Sequence, residues 1–240
     1  MPKKEKILLT IAARGGSKGV KNKNIRILYG KPLIAYTIMQ AKKWGKADRV
    51  ICSTDSFEIA QIAKKFGAEV PFLRPTALAT DTSGKIDVLR HALKSAEQKY
   101  NETYSLVIDL DVTAPIRNIS DIDGAYKMFI KNKPKSVFSV TACRKNPYFN
   151  MVEINHKGIA VLVKKPVSLI KRRQDAPAVY DMNASIYVYD REYLLDKKTK
   201  TAISDHSLVW VMDELSSVDI DSELDFQFIE FLILKKLVSL

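Results

Sequence analysis

Apolar residues along this chain fall into short unbroken runs, separated by longer stretches in which they recur every three or four positions. The first run, Ile7 to Ala13, has no polar alternation beyond Thr10 and predicts a strand buried on both faces. Arg49 to Thr54 and Ser105 to Leu110 predict two more strands, and Glu69 to Leu73 a short one. Between them Pro32 to Trp44, Glu58 to Phe66 and Ile86 to Tyr100 carry helical spacing, and Gly67 ends the second of these helices. Strands alternating with helices predict right-handed βαβ units. The expected fold is α/β, a mostly parallel Rossmann-like sheet flanked by helices. The loops after Ala13, Leu73 and Leu110 would then face one cleft at the carboxyl ends of the strands, where open α/β sheets bind ligands.

From about Ser136 the pattern loosens. Val137 to Ala142, Ile159 to Val163 and Ala184 to Tyr189 predict strands with irregular connections, and Asp225 to Leu237 predicts a closing amphipathic helix. Pro147 to Gln174 reads as a flap or partner-facing excursion. The expectation is a single domain over residues 1–240, with a small dimerisation insertion around 145–215.

Composition narrows the class only a little. A hydrophobic fraction of 46% and a charged fraction of 28% suit an ordinary globular protein. No apolar run approaches the roughly eighteen residues of a membrane span, and with Met1 to Lys6 leading straight into the first predicted strand no secretory leader is expected. Two cysteines, Cys52 and Cys143, make no disulfide framework; a reduced, cytoplasmic setting is expected. The net charge of +12 raises nucleic acid as a partner, but the lysines are scattered and no RNA- or DNA-binding pattern accompanies them. Anionic small substrates account for the excess equally well. Neither nucleic acid nor membrane is expected as a partner.

Chemistry concentrates at two places. Arg14-Gly15-Gly16-Ser17-Lys18-Gly19 follows the first strand, with Lys21, Lys23 and Asn24 just beyond. Glycines let backbone amides turn toward a ligand, and the cations suit a polyphosphate. The spacing is neither the P-loop nor the dinucleotide fingerprint. Late in the chain stands Asp219-Ile220-Asp221. In an extended segment both carboxylates would point to one face, suited to a hard cation such as Mg²⁺. Alternatively, one of them merely caps the helix starting near Ser222. His91, His156 and His206 have no metal-ligand spacing.

Six ordered blocks give the chain a specific resemblance. They are Ala13 to Gly19 with Lys23-Asn24; Ser53-Thr54-Asp55; Leu73-Arg74-Pro75 with Leu78 to Thr82; Thr113 to Arg117; Arg173-Gln174 with Asn183 and Tyr187; and Asp219 to Asp225. Together they resemble the acylneuraminate cytidylyltransferases and, more broadly, the CMP-nonulosonate synthetases. That resemblance implies an enzyme that couples CTP to a nine-carbon 2-keto sugar acid and releases pyrophosphate, with Mg²⁺ as cofactor and a homodimer as the working unit. It implies that Arg14 and Lys23 hold the triphosphate with Lys18 nearby, and that Asn24 and Arg74 read the cytidine, helped by the segment from Asp81 to Ser83. Asp219 and Asp221 would place the metal, and transfer would depend most on Arg14, Lys23 and Asp221. Arg173, Asn183 and Tyr187 would hold the sugar acid.

Two departures stand out. The family usually carries Gln-Pro-Thr-Ser-Pro where this chain has Asp111-Val112-Thr113-Ala114-Pro115. An ionised carboxylate only accepts hydrogen bonds, so Asp111 favours donors on the sugar and makes a diamino-dideoxy acid of the legionaminic or pseudaminic type an expected acceptor beside sialic acid. The competing reading makes Asp109-Leu110-Asp111 a second metal-binding pair. Ala184, the second departure, replaces a common family glycine. Rival functions are a CMP-Kdo synthetase and a nucleotide-binding protein without catalysis.

Overall fold

The computed structural model describes residues 5–16, 19–238 and 240. Its frame is a six-stranded sheet in the order β10-β6-β9-β5-β1-β4. Strand β1 (Ile7–Ala12) leads through a two-stranded ribbon, β2 (Ile27–Leu28) and β3 (Lys31–Pro32), into helix α1 (Leu33–Trp44). Next come β4 (Arg49–Ser53), α2 (Phe57–Lys65), α3 (Lys85–Tyr100), β5 (Leu106–Leu110), α4 (Ile119–Asn132) and β6 (Ser136–Ala142). A small hairpin, β7 (Val152–Ile154) with β8 (Ala160–Leu162), stands apart from the main sheet. The chain returns through β9 (Tyr180–Asp190), α5 (Arg191–Leu195), β10 (Ser207–Val211) and α6 (Glu223–Leu234).

Alternation along the buried strands assigns each helix to a face. Leu9 and Ile11 of β1 with Ile108 and Leu110 of β5 pack against α1, α4 and α6; Leu8 and Val107 point the other way, onto α3 and α5. Strand β1 pairs in parallel with both β4 and β5, so successive strands leave β1 on opposite sides. That reversal opens a crevice at the carboxyl ends of β1 and β5, the usual ligand position in such sheets.

The structure departs from the sequence expectation in places. Glu69 to Leu73 forms only an isolated bridge, Ile51 to Glu69, because Pro71 has no N–H to extend a ladder. Helix α4 was not anticipated; it starts at a capping box of Asn118 and Asp121, and its Gly124 lets Trp210 lie flush on the helix. Strand β9 enters antiparallel to both β5 and β6, while the other pairings of the sheet are parallel, in keeping with the expected mostly parallel sheet. No described helix is long and apolar enough to cross a membrane.

Candidate active site at the carboxyl ends of the strands

A cavity of about 390 Å³ opens at the crevice and is lined by Arg14, Gly19, Lys23, Asn24, Arg74, Ser83, Lys85, Asp111, Thr113 and Asp221, among others. The three loops expected to converge, after Ala13, Leu73 and Leu110, therefore meet there. A larger hollow of about 680 Å³, beside Tyr29, Tyr36, Ile233 of α6 and Leu237 beyond it, holds none of these strand-end groups.

The loop after β1 is built from its own backbone. Asn24 is buried and donates from Nδ2 to the Arg14 carbonyl at 2.9 Å, while the Gly15 N–H donates to Asp55 Oδ1 at 3.0 Å. Arg14 pairs with Asp81. Lys23 donates to the Ile220 carbonyl and, at 3.1 Å, to Asp221 Oδ1, tying this loop to the late acidic segment. Lys18 lies outside the described residues.

Arg74 comes in from the adjacent loop, its N–H bound to the Thr54 carbonyl at 2.7 Å. Its side chain is 6% exposed, and Nε and Nη2 have no hydrogen-bond partner among the described residues. Burial lowers its pKa, partly offset by Asp55 and other neighbours. Donors left bare inside a cavity cost stability unless a ligand accepts from them. Ser83 closes the 77–83 turn, donating to the Ala77 carbonyl and accepting from the Thr80 N–H.

The acidic segment is not a strand. Ile220 is buried, its N–H bound to the Thr113 carbonyl at 2.9 Å, and the two aspartates diverge. Asp219 turns inward with Oδ1 buried and without a partner among the described residues, whereas the Asp221 side chain is 79% exposed beside Lys23. The expectation of two carboxylates on one strand face is corrected accordingly. Nor does either aspartate cap α6: Ser222 is the N-cap, in a capping box with Asp225 that also takes the Asp221 N–H. Burial raises the Asp219 pKa; the Thr113 hydroxyl opposes this, and the nearby Asp111 and Asp221 charges add to it. Among the described residues no group of three or more potential ligand side chains is gathered. The Asp219 oxygen without a partner among the described residues, close to Asp111 and Asp221, is the one feature here that suits a divalent cation.

Asp111 continues the β5 face that carries Asp109. Its Oδ1 accepts from the Thr113 N–H (3.2 Å) and hydroxyl (3.1 Å), and Oδ2 accepts from Lys85 Nζ at 2.7 Å. Burial works to raise its pKa, but Lys85, Thr113 and Arg117 outweigh that and hold it at about 2. Arg117 lies beneath the loop, donating from Nε to Ser185 Oγ at 3.0 Å and from Nη2 to the Ala114 carbonyl at 2.7 Å and the Asp111 carbonyl. Burial pulls its pKa down to about 10 against the attraction of Asp111, Asp109 and Asp121.

The other expected sugar contacts are dispersed. Tyr187 lies under Lys85, with the ammonium 4.6 Å from its ring centroid. Asn183 is buried in the sheet: Oδ1 accepts from Ser139 Oγ at 2.6 Å and Nδ2 donates to Met212 Sδ. Arg173 donates to the Cys143 carbonyl at 2.8 Å and lines a separate cavity with Asn146 and Tyr180. Sequence reasoning gave no role to Lys85 or Arg117. Lys85 sits in no recognisable pattern, and its partners Asp109 and Asp111 come from another strand. Arg117 stood at the end of a matching block but without chemistry attached to it.

The chain matches the family model described as cytidylyltransferase over residues 8–234. It is 45% identical over 233 residues to a CMP-N,N'-diacetyllegionaminic acid synthase of Campylobacter jejuni, covering 97% of each chain. It is 44% identical over 230 residues to a post-translational flagellin modification protein B of Campylobacter coli, covering 96% of each. Its fold resembles that of a CMP-2-keto-3-deoxy-manno-octonic acid synthetase solved with CTP, with a TM-score of 0.70 at 15% identity, over 97% of this chain and 100% of that one. Family match, near full-length relatives and fold agree: the chain belongs to the cytidylyltransferase family and is related to its CMP-nonulosonate synthetases.

Proposed function

We propose that this enzyme, a CTP-dependent cytidylyltransferase for nonulosonic acids, prefers a diamino-dideoxy acceptor of the legionaminic type. The anomeric C2 hydroxyl attacks the α-phosphorus of CTP, the bond to the bridging oxygen breaks, pyrophosphate leaves and the hydroxyl proton passes to water. The observation that carries the preference is Asp111, a carboxylate held ionised at the mouth of β5 where the family usually has a neutral glutamine. It can accept a substrate N–H and cannot donate to a substrate oxygen. The 45% identical relative named for the diacetyllegionaminic acid product supports the same choice.

Arg14 and Lys23 stand where the triphosphate would lie, with Lys18 beyond them in sequence, and catalysis of this kind depends mainly on charge placed against the phosphates. Arg74, with two bare donors, and Asn24 face the nucleoside end, bordered by Asp81 and Ser83. Asp219 and Asp221 are assigned to magnesium, which would polarise a phosphate oxygen and orient the attacking hydroxyl.

We assign the β7–β8 hairpin to a homodimer contact. Val152, Ile154, Ile159, Val161 and Leu162 are exposed on it, an apolar surface suited to a partner of like kind. Arg173, near its base, then serves the sugar carboxylate across the dimer rather than in its own cleft. Light scattering of the purified protein reads the first point: a monomer at micromolar concentration removes the dimer assignment.

The substrate test is pyrophosphate release with CTP and Mg²⁺ across N,N'-diacetyllegionaminate, pseudaminate, N-acetylneuraminate and Kdo. The highest kcat/KM is expected with a diamino-dideoxy acid. Preference for N-acetylneuraminate removes the role given to Asp111, and preference for Kdo moves the enzyme to the rival branch.

A further inference from the structure

Lys85 has no role in the account so far, yet it is the first residue of α3 and reaches into the cleft beside Asp111. Its surroundings follow from sheet register. Thr10 of β1, Asp109 of β5 and Tyr187 of β9 are direct neighbours across three strands, so their side chains share one face. Asp111, two residues beyond Asp109, continues that face past the strand end. Lys85 lies over the row: Nζ is 3.0 Å from Asp109 Oδ2 and 2.7 Å from Asp111 Oδ2, and the Tyr187 ring lies beneath. Thr10 Oγ1 donates to the other Asp109 oxygen at 2.9 Å. Every member of the cluster is anchored by another.

The hydrogen bonds of Lys85 argue against a simple anion-binding role. The Lys85 ammonium already donates to two carboxylates, of which Asp109 is fully buried, so it is committed to them rather than free to seat a phosphate or a sugar carboxylate. What the arrangement does is fix Asp111. A carboxylate offers about four acceptor positions. Thr113 takes two on Oδ1 and Lys85 one on Oδ2, which leaves one open on Oδ2. Among the described residues no other donor to that oxygen holds it in place.

We propose that Lys85 is a positioning residue for acceptor selectivity, holding the Asp111 carboxylate so that a single acceptor position meets one N–H or O–H donor of the sugar acid. The inference rests on the reading that Asp111 faces the sugar. It adds a specificity element formed by two residues from different parts of the chain.

The test is steady-state kinetics on Lys85→Met, Lys85→Arg, Asp111→Gln and Lys85→Met/Asp111→Gln, varying CTP and sugar acid separately. Lys85→Met is expected to raise KM for the diamino-dideoxy acid about ten- to a hundred-fold, the scale of an ångström's misplacement, with KM for CTP within about twofold. The preference over N-acetylneuraminate should fall with it. Lys85→Arg should recover part of the loss, and Lys85→Met should cost nothing further once Asp111 is glutamine. Equal rises in both KM values, an unchanged sugar preference, or additive effects of the two substitutions overturn the inference. Should Lys85→Met fail to fold because Asp109 loses its counter-charge, Lys85→Met/Asp109→Asn keeps the balance and is read against Asp109→Asn by the same criteria. A wild-type enzyme without diamino preference defeats the reading of Asp111 itself; a wild-type preference that survives Lys85→Met defeats only the role of Lys85.

Discussion

Gly19 offers the sharpest perturbation of the cleft. A Cβ built on it would overlap the carbonyl oxygen of Asp221, with the carbonyl carbon 3.2 Å away. Both obstacles are backbone, so no side-chain rotation relieves them. For Gly19→Ala the loop after β1 and the acidic segment must part by roughly 1 Å, at a cost of about 1–3 kcal/mol for an overfilled contact. The same movement pulls Lys23 away from the Ile220 carbonyl and Asp221, separating the residue proposed for the triphosphate from one proposed for the metal. A shift of this size at reacting groups costs about 10²-fold in rate, or about 2.7 kcal/mol of transition-state stabilisation. The assay is kcat/KM for CTP by pyrophosphate release, with thermal unfolding alongside. Gly16→Ala, whose methyl would meet nothing within 4 Å among the described residues, is the comparison and should lose far less. If Gly19→Ala stays within about threefold of wild type, the close approach of the two segments has no part in catalysis, and the joining of Lys23 to Asp221 is incidental.

Other expectations follow from single residues. Ala184 has φ of +53°, a left-handed conformation beside the irregularity in the β6–β9 register. Ala184→Gly removes a penalty of about 1–2 kcal/mol and adds roughly 0.4–1 kcal/mol of unfolded-chain entropy. A net stabilisation of about 0.5–1 kcal/mol in urea unfolding is expected, and a destabilised variant would contradict it. Arg74→Met should raise KM for CTP about tenfold or more while leaving the melting temperature unchanged or higher, because it removes a buried, partly unpaired cation; a large fall in melting temperature would show that Arg74 supports the fold instead. Asp111, Glu102 and Asp123 all have pKa values held down to about 2 in the folded protein. For a lowered carboxylate the stabilisation is complete above the unfolded value near 4 and is lost as pH falls through the folded value, so unfolding free energy should drop mainly between about pH 4 and pH 2. Flat stability across that window would mean these ion pairs contribute nothing.

The sequence was legible where a local rule decides structure. Ile7 to Ala13 could only be a buried strand, and α1, α2 and α3 followed from spacing and from stops such as Gly67. Position was legible too, since loops at the ends of consecutive parallel strands had to share a crevice, and Arg14, Arg74 and Asp111 do share one. What escaped depends on pairing across the sheet. An eleven-residue β9 can run either way, and only its docking between β5 and β6 makes it antiparallel. Asp219 and Asp221 looked like strand neighbours, but the Ile220 backbone docks on Thr113 and turns them apart. Lys85 had no signature because its meaning lies in a row of side chains contributed by β1, β5 and β9. Ala184 was noticed as a departure, but the backbone conformation that makes it matter could not be read from its neighbours.

The central claim is transfer of the cytidylyl group of CTP to a nonulosonic acid. The most direct measurement follows the ³¹P spectrum of CTP, Mg²⁺ and N,N'-diacetyllegionaminate with the enzyme, with the product identified by mass. The account predicts loss of the three CTP signals, equal amounts of pyrophosphate and one phosphodiester, and the mass of the CMP-sugar. CTP that remains intact, or that is hydrolysed to CMP and pyrophosphate without a sugar adduct for any nonulosonic acid supplied, would contradict it.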